Sequence, residues 1–175
     1  SAATELLQCL TEERAKGDDA LVSSCSEQGR KMKEFQGGCH CGAVAYTFRW
    51  PLDEDLVLKK CGCTFCTKQG AIYTGHPKAV LSVTVGKAGA LTRYQFGTQT
   101  ANCNFCSRCG VYLFATSTIG GREYAVINAN SLAGFVAPPN VETIDLDGEG
   151  TGNRLMRRSK TWIGNVTVTM ETQTI

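Results

Sequence analysis

The sequence predicts an all-β domain with a short helical extension at its N-terminus. Three observations carry this: short alternating apolar runs from residue 43 onward, glycines between them, and a longer, helix-like period before residue 37. The 19 glycines beside only 4 prolines suit a chain of short strands joined by tight turns.

Residues 1–36 read as the extension. Leu6, Leu7 and Leu10 stand at helical spacing, and Gly17-Asp18-Asp19 interrupts them. A second stripe follows at Leu21, Cys25, Gln28, Met32 and Phe35, close to a 3.6-residue period. Two short helices packed on the main domain or on a partner are expected, with Cys9 and Cys25 as small apolar residues on them. Residues 37–175 read as the β domain. In AVAYTFRW (43–50) Val44, Tyr46 and Phe48 share one face. LVLKK (56–60), AVLSVTV (79–85), LTRYQF (91–96), VYLFAT (111–116), EYAVINA (123–129) and NVTVTM (165–170) are the other strand candidates. DLDGEGTGN (145–153) reads as a surface loop, because neither a strand-to-helix context nor a following Lys-Ser/Thr supports a phosphate cradle.

Composition excludes several functions. With Lys+Arg 18 against Asp+Glu 16 the net charge is +2, which gives no case for direct nucleic-acid or membrane-surface binding. No apolar run approaches the roughly 18 residues that a membrane-spanning helix needs. The N-terminal SAATELLQCLTEERAK lacks the basic-then-apolar pattern of a signal peptide. The ten cysteines are the exception to this ordinary composition. Eight of them fall in three clusters, GCHCG (38–42), CGCTFC (61–66) and CNFCSRC (103–109). Such clustering fits metal binding better than a disulfide scaffold, whose cysteines spread out so that bridges close loops. Reduced thiols and bound zinc lead to the expectation of a cytoplasmic or nuclear compartment.

Cys39 and Cys41 project from the same face of an extended segment, with His40 turned away. Two thiolates on one tetrahedral zinc, with bonds of about 2.3 Å, must lie within roughly 4 Å of each other. The backbone must therefore curl, and Gly37, Gly38 and Gly42 flank the pair. Cys106-Ser107-Arg108-Cys109 is a Cys-x-x-Cys knuckle that can supply the other half of a closed four-thiolate site. Cys61, Cys63 and Cys66 supply three thiolates in six residues, and three protein ligands plus an open position is the pattern of a catalytic zinc. Such an electron-rich zinc suits binding and deprotonating an incoming thiol more than hydrolysis. The alternative is a second structural site completed by Cys103.

These motifs, in this order, resemble the glutathione-dependent formaldehyde-activating enzyme family, which includes centromere protein V. The resemblance runs from about Gly37 to Leu132 through GGCHCGAVAY, CGCTFCTKQG, LTRYQFGTQTANCNFCSRCGV and the weaker REYAVINANSL. It implies a β-tent zinc fold with two zincs per chain. One would be structural at Cys39, Cys41, Cys106 and Cys109, and one catalytic at Cys61, Cys63 and Cys66. It also implies a carbon–sulfur lyase of the S-(hydroxymethyl)glutathione synthase type, with glutathione and formaldehyde as substrates. The sequence departs from the pattern at Cys103, where the family commonly has His, and at Gly62, where a polar residue is usual. The Cys103 thiol is a further catalytic candidate that could complete the second zinc, act as a nucleophile or merely fill space. Gly62 is expected to leave open volume beside the metal.

Further candidates are His76 as general acid or base, and Thr64 and Lys68 as groups that orient a zinc-bound or anionic ligand. Arg154, Arg157, Arg158 and Lys160 read as a solvated basic face. The expected partner is a small molecule, and a homodimer is left open. Two rivals to the glutathione reading are a zinc enzyme acting on another small metabolite and a non-catalytic zinc module that binds a protein.

Overall fold

The computed structural model describes residues 32–171. The two helical stripes up to Gln28, with Cys9 and Cys25, lie outside the described residues. Met32 and Phe35, expected on the second stripe, instead belong to strand β1 (Met32–Gly38). There they pair antiparallel with β2 (Val44–Pro51) from Met32↔Pro51 to Gly38↔Ala45. A continuous ladder of backbone bonds overrides a weak three-residue spacing. The Phe35 ring then packs 5.9 Å from that of its register partner Phe48.

Two sheets follow, as the strand-rich sequence predicts. The first has the order β1-β2-β5-β11, with β5 (Val80–Val85) antiparallel to β2 and β11 (Asn165–Met170) parallel to β5. The second contains β3 (Leu58–Cys61), β4 (Ile72–Thr74), β6 (Leu91–Tyr94), β7 (Asn102–Cys106), β8 (Tyr112–Ile119), β9 (Arg122–Asn128) and β10 (Thr143–Ile144). Its order is β10-β3-β4-β9-β8-β7-β6. Single bridges at Gly37↔Leu132 and Ala125↔Ile163 stitch the sheets together.

One core lies between them. The alternation in β2 places Val44, Tyr46, Phe48 and Trp50 inside, beside Leu81, Val83 and Val85 of the neighbouring β5 and in one core with Phe114 and Ile127 of the second sheet. Burying such side chains contributes roughly 1.5–3 kcal/mol each before the entropy cost of ordering them. Tyr46 ends in a buried hydrogen bond to Ser131 Oγ at 2.6 Å. Ser131 itself donates to Asn128 O at 2.7 Å, so no polar atom of the pair is orphaned.

Two helices complete the described chain: α1 (Thr64–Gln69) and α2 (Thr151–Thr161). The second corrects the loop expectation for residues 145–153, because helix begins at Thr151, directly after the Gly-rich turn. It also corrects the basic face. Arg158 is only 7% exposed and donates to Thr100 O at 3.0 Å, Thr100 Oγ1 at 2.8 Å and Ser117 Oγ at 3.3 Å, with its guanidinium over Trp162. Burial lowers its pKa to about 10. The helix docks through an arginine, so no apolar stripe marks it in the sequence. Arg157 forms a two-pronged pair with Glu149, at 2.9 and 2.8 Å.

Candidate metal centres

The first centre forms where β1 hands the chain to β2. After Gly38 the backbone turns: Cys39 N–H bonds Val44 O at 2.9 Å and Gly42 N–H bonds Cys39 O at 3.3 Å. Gly42 sits at φ +72°, which only glycine adopts cheaply. Gly37 and Gly38 serve closeness instead of dihedral freedom. A Cβ on Gly37 would stand 2.3 Å from Tyr46 Cζ, and one on Gly38 2.6 Å from Val44 O. The turn brings Cys39 and Cys41 sulfurs to 3.7 Å, and Cys41 reaches Cys106 Sγ at 3.6 Å across the 65 residues between them.

Cys106 arrives on β7, whose register slips at Asn104/Phe105. The buried Asn104 amide stabilises the irregularity by donating to Asn102 O at 3.0 Å and Phe114 O at 3.3 Å. The knuckle closes with Cys106 N–H on Val111 O and Gly110 N–H on Cys106 O. All four sulfurs lie within 4.8 Å of one another. A tetrahedron of zinc–sulfur bonds near 2.3 Å has edges of about 3.8 Å, so the spacing fits a four-thiolate zinc. It does not fit disulfides, which need about 2.05 Å, and the eight described cysteines are free. Backbone N–H groups of Val111 and Cys41 lower the Cys109 thiol to about 6, whereas burial pushes Cys106 up to about 11. His40 is exposed, away from the sulfurs.

The second centre is built by the end of β3 and the start of α1. Cys61 ends the strand, and Cys63 caps the helix by accepting from Cys66 N–H at 3.5 Å. One helical turn then places Cys66 beside both. The three sulfurs lie within 4.8 Å of one another, with Cys61 and Cys63 half-buried and Cys66 buried. Cys103 stands outside this group. The Cys61 thiol is lowered to about 5, chiefly by its bond with Cys66, whose own thiol is driven up by the same bond and by burial. The crowding thus favours a thiolate at Cys61, the form in which a cysteine holds a metal.

The surroundings hold this loop in place. Gly70 ends α1 at φ +58°, its carbonyl accepting from Asn130 Nδ2 at 2.7 Å. Asn128 joins β4 to β8 by accepting from Ile72 N–H at 3.3 Å and donating to Tyr112 O at 2.9 Å. Gly62 N–H bonds Ile144 O of β10 at 3.1 Å, and a Cβ on Gly62 would touch Thr143 Cγ2 at 3.6 Å. Gly62 therefore faces β10 and does not open the volume expected of it. Between the cysteines, Phe65 packs its ring 5.6 Å from Tyr94 and 4.7 Å from Phe96, which are 51% and 39% exposed. Phe105 and Tyr112 continue this wall inward. Beneath it Tyr73 OH meets Cys66 Sγ at 3.1 Å and Tyr112 OH at 3.2 Å.

Residues 34–142 match the family described as glutathione-dependent formaldehyde-activating enzyme, more than half of the chain. The chain belongs to that family. A crystal structure of a Rhodobacter sphaeroides protein is also similar, at 33% identity and TM-score 0.47, covering 62% of this chain and 99% of that one. The family match takes in both cysteine centres and stops before α2, leaving Arg158 outside it while its partners Thr100 and Ser117 lie within.

The remaining sequence candidates are distributed as follows. Thr64 and Lys68 are exposed on α1. His76 is bound elsewhere: Nε2 meets Glu54 at 2.8 Å, Nδ1 accepts from Lys78 N–H at 3.2 Å, and the ring packs 5.1 Å from Trp50. Both nitrogens are thus occupied by structural partners, so the general acid–base expectation for His76 gains nothing from its placement. Sequence reasoning did not single out Tyr73, Tyr112, Asn128 or Asn130, which carry no motif spacing. No helix among the described residues is long and apolar enough to cross a membrane.

Proposed function

We propose that this protein is a two-zinc carbon–sulfur lyase/synthase that uses its second cysteine centre to activate a thiol, with glutathione as the thiol and formaldehyde as its electrophile. The observation that carries this reading is the contrast between the two centres: four sulfurs converge at one, three at the other. Four thiolates close a tetrahedron and serve structure; three leave one position for a ligand. A zinc ion held by Cys61, Cys63 and Cys66 supplies charge stabilisation for a fourth sulfur as thiolate.

The residues then have separable tasks. Cys39, Cys41, Cys106 and Cys109 pin the β1–β2 turn to β7. Cys61, Cys63 and Cys66 hold the metal at the protein surface, where Cys61 and Cys63 remain half-exposed. Phe65, the residue before Cys66 on the same helix, sets an aromatic wall beside that loop. In the forward reaction the thiol sulfur forms a bond to the formaldehyde carbon, the C=O π pair moves to oxygen, and the thiol proton ends on that oxygen. The reverse reaction breaks the same carbon–sulfur bond.

The test is exchange NMR of glutathione and formaldehyde with the zinc-loaded protein. Acceleration of S-hydroxymethylglutathione exchange above the uncatalysed rate, lost in a folded Cys63→Ser variant, supports the reading. An unchanged rate refutes it. A second reading rests on Tyr94 and Phe96, large rings exposed against Phe65. They favour a different metabolite, one whose thiol or thioether carries a planar apolar group. Faster turnover of an S-aryl adduct than of the glutathione adduct would support it.

A further inference from the structure

Three groups are linked by hydrogen bonds beneath the second centre, and a fourth packs beside them. Cys66 Sγ touches Tyr73 OH at 3.1 Å, and Tyr73 OH touches Tyr112 OH at 3.2 Å. Cys103, on β7, packs in the same buried cluster as Tyr112, and both residues are 4% exposed. Phe65, Phe105 and Ala71 pack around them, so water has little access and each hydroxyl must find its partner within the row.

The metal fixes the direction of this row. A cysteine sulfur bound to a metal has lost its proton and can only accept. Tyr73 must then donate to Cys66, which leaves the Tyr73 oxygen free to accept from Tyr112. The Tyr112 oxygen can in turn accept from the Cys103 S–H. Burial keeps that thiol protonated.

We infer that Cys103, Tyr112 and Tyr73 form a one-way hydrogen-bond row that orients Cys66 and strengthens metal binding at the second centre. This rests on that centre holding a metal, as proposed above. All three are positioning residues, Tyr73 acting directly on a ligand sulfur and the other two through Tyr73. Cys103 thereby has a task that needs neither metal ligation nor nucleophilic attack: it is the terminal donor.

The test is zinc affinity by competition against a chromophoric chelator, with a Cys63→Ser protein as the one-site reference. Tyr73→Phe keeps the ring and removes the donor. It should weaken the second site about 10- to 100-fold and leave the first unchanged. Tyr112→Phe should weaken it less in the native background and not at all in the Tyr73→Phe background. Cys103→Ala should resemble Tyr112→Phe, and Cys103→Ser, which keeps a donor, should restore affinity. In the cobalt-substituted protein the sulfur-to-metal charge-transfer band should move to lower energy in Tyr73→Phe, because a sulfur without its hydrogen bond gives up charge more easily. Two bound zincs with unaltered affinity and spectrum in Tyr73→Phe would overturn the row. So would Tyr112→Phe and Tyr73→Phe effects that simply add. A wild-type protein that binds one zinc would overturn this inference and the proposed function together.

Discussion

Replacing one cysteine in each centre separates structure from chemistry. Cys106 is 1% exposed, belongs to the core, and brings its sulfur to 3.6 Å from that of Cys41 in a turn 65 residues earlier, the contact that the proposed structural zinc would bridge. Structural zinc contributes about 10–16 kcal/mol of apparent binding energy that is also folding energy, so one of four ligands carries roughly 3–4 kcal/mol. Serine at position 106 also buries a hydroxyl without its sulfur partners, at about 1–3 kcal/mol. The sum, about 4–7 kcal/mol, is comparable with the whole stability of an ordinary domain, 5–15 kcal/mol by rough scale. Cys63 is half-buried and lies outside the core, and its three-cysteine cluster spans only six residues, which an unfolded chain can also present to a metal, so Cys63→Ser should cost under about 2 kcal/mol. At about 2–4 °C per kcal/mol, Tm should fall by about 8–28 °C for Cys106→Ser and by no more than about 8 °C for Cys63→Ser. Circular dichroism melts with zinc counted per chain would measure this. Equal losses, or a wild-type melt unmoved by a strong chelator, would refute the division between the centres.

Three other perturbations test the scaffold. Gly37→Ala places a Cβ against the ring of Tyr46, whose hydroxyl is tied to Ser131, so chemical denaturation should show a loss of about 1–3 kcal/mol; a neutral result would mean that β1 can shift. Glu149 is held below the usual carboxylate range by Arg157, so its contribution is present at neutral pH and disappears as pH falls through its depressed folded-state pKa. Denaturation across pH should show Glu149→Gln less stable than wild type at pH 7, with the gap closing in acid; a gap constant with pH would be contrary. Arg158→Ala removes three hydrogen bonds to Thr100 and Ser117 and the contact with Trp162, and should cost about 2–4 kcal/mol by urea unfolding, against near zero for exposed Lys160→Ala. Equal effects would return α2 to the solvated face expected from its sequence.

The sequence revealed the strands whose environment repeats with the pleat. β2 is legible because Val44, Tyr46, Phe48 and Trp50 all point inward, and the cysteine spacings are legible because sulfurs on a common metal need neighbours close in the chain. β4 and β10, with three and two residues, are too short to show a period. β1 was hidden because Met32 and Phe35 satisfy a helical spacing and a strand register equally well. Helix α2 was hidden because its buried anchor is Arg158, which a hydropathy pattern counts as exposed. The support of the second centre was least legible of all. Tyr73, Tyr112, Asn128 and Asn130 meet only through the order of strands in a sheet, and no local spacing encodes that order.

This difference between ligands and their support bears on how members of one family diverge. Each centre draws its ligands from segments whose local geometry fixes sulfur positions: a Gly42 turn, a Gly110 knuckle, a helix capped by Cys63 itself. Those segments leave little freedom for substitution, since moving one sulfur by an ångström removes the metal. The row behind Cys66 is not constrained in this way. A terminal donor on β7 can be any group that reaches the Tyr112 hydroxyl, and in the proposed row Cys103 occupies that place. On the proposed reading, changing the donor would alter the hydrogen bonding of Cys66 without replacing any of the three clustered cysteines. On the function proposed above, adaptation of this site to a different thiol would be most accessible at position 103 and in the exposed Tyr94–Phe96 pair, one acting through the row on Cys66 and the other on what can approach the cluster.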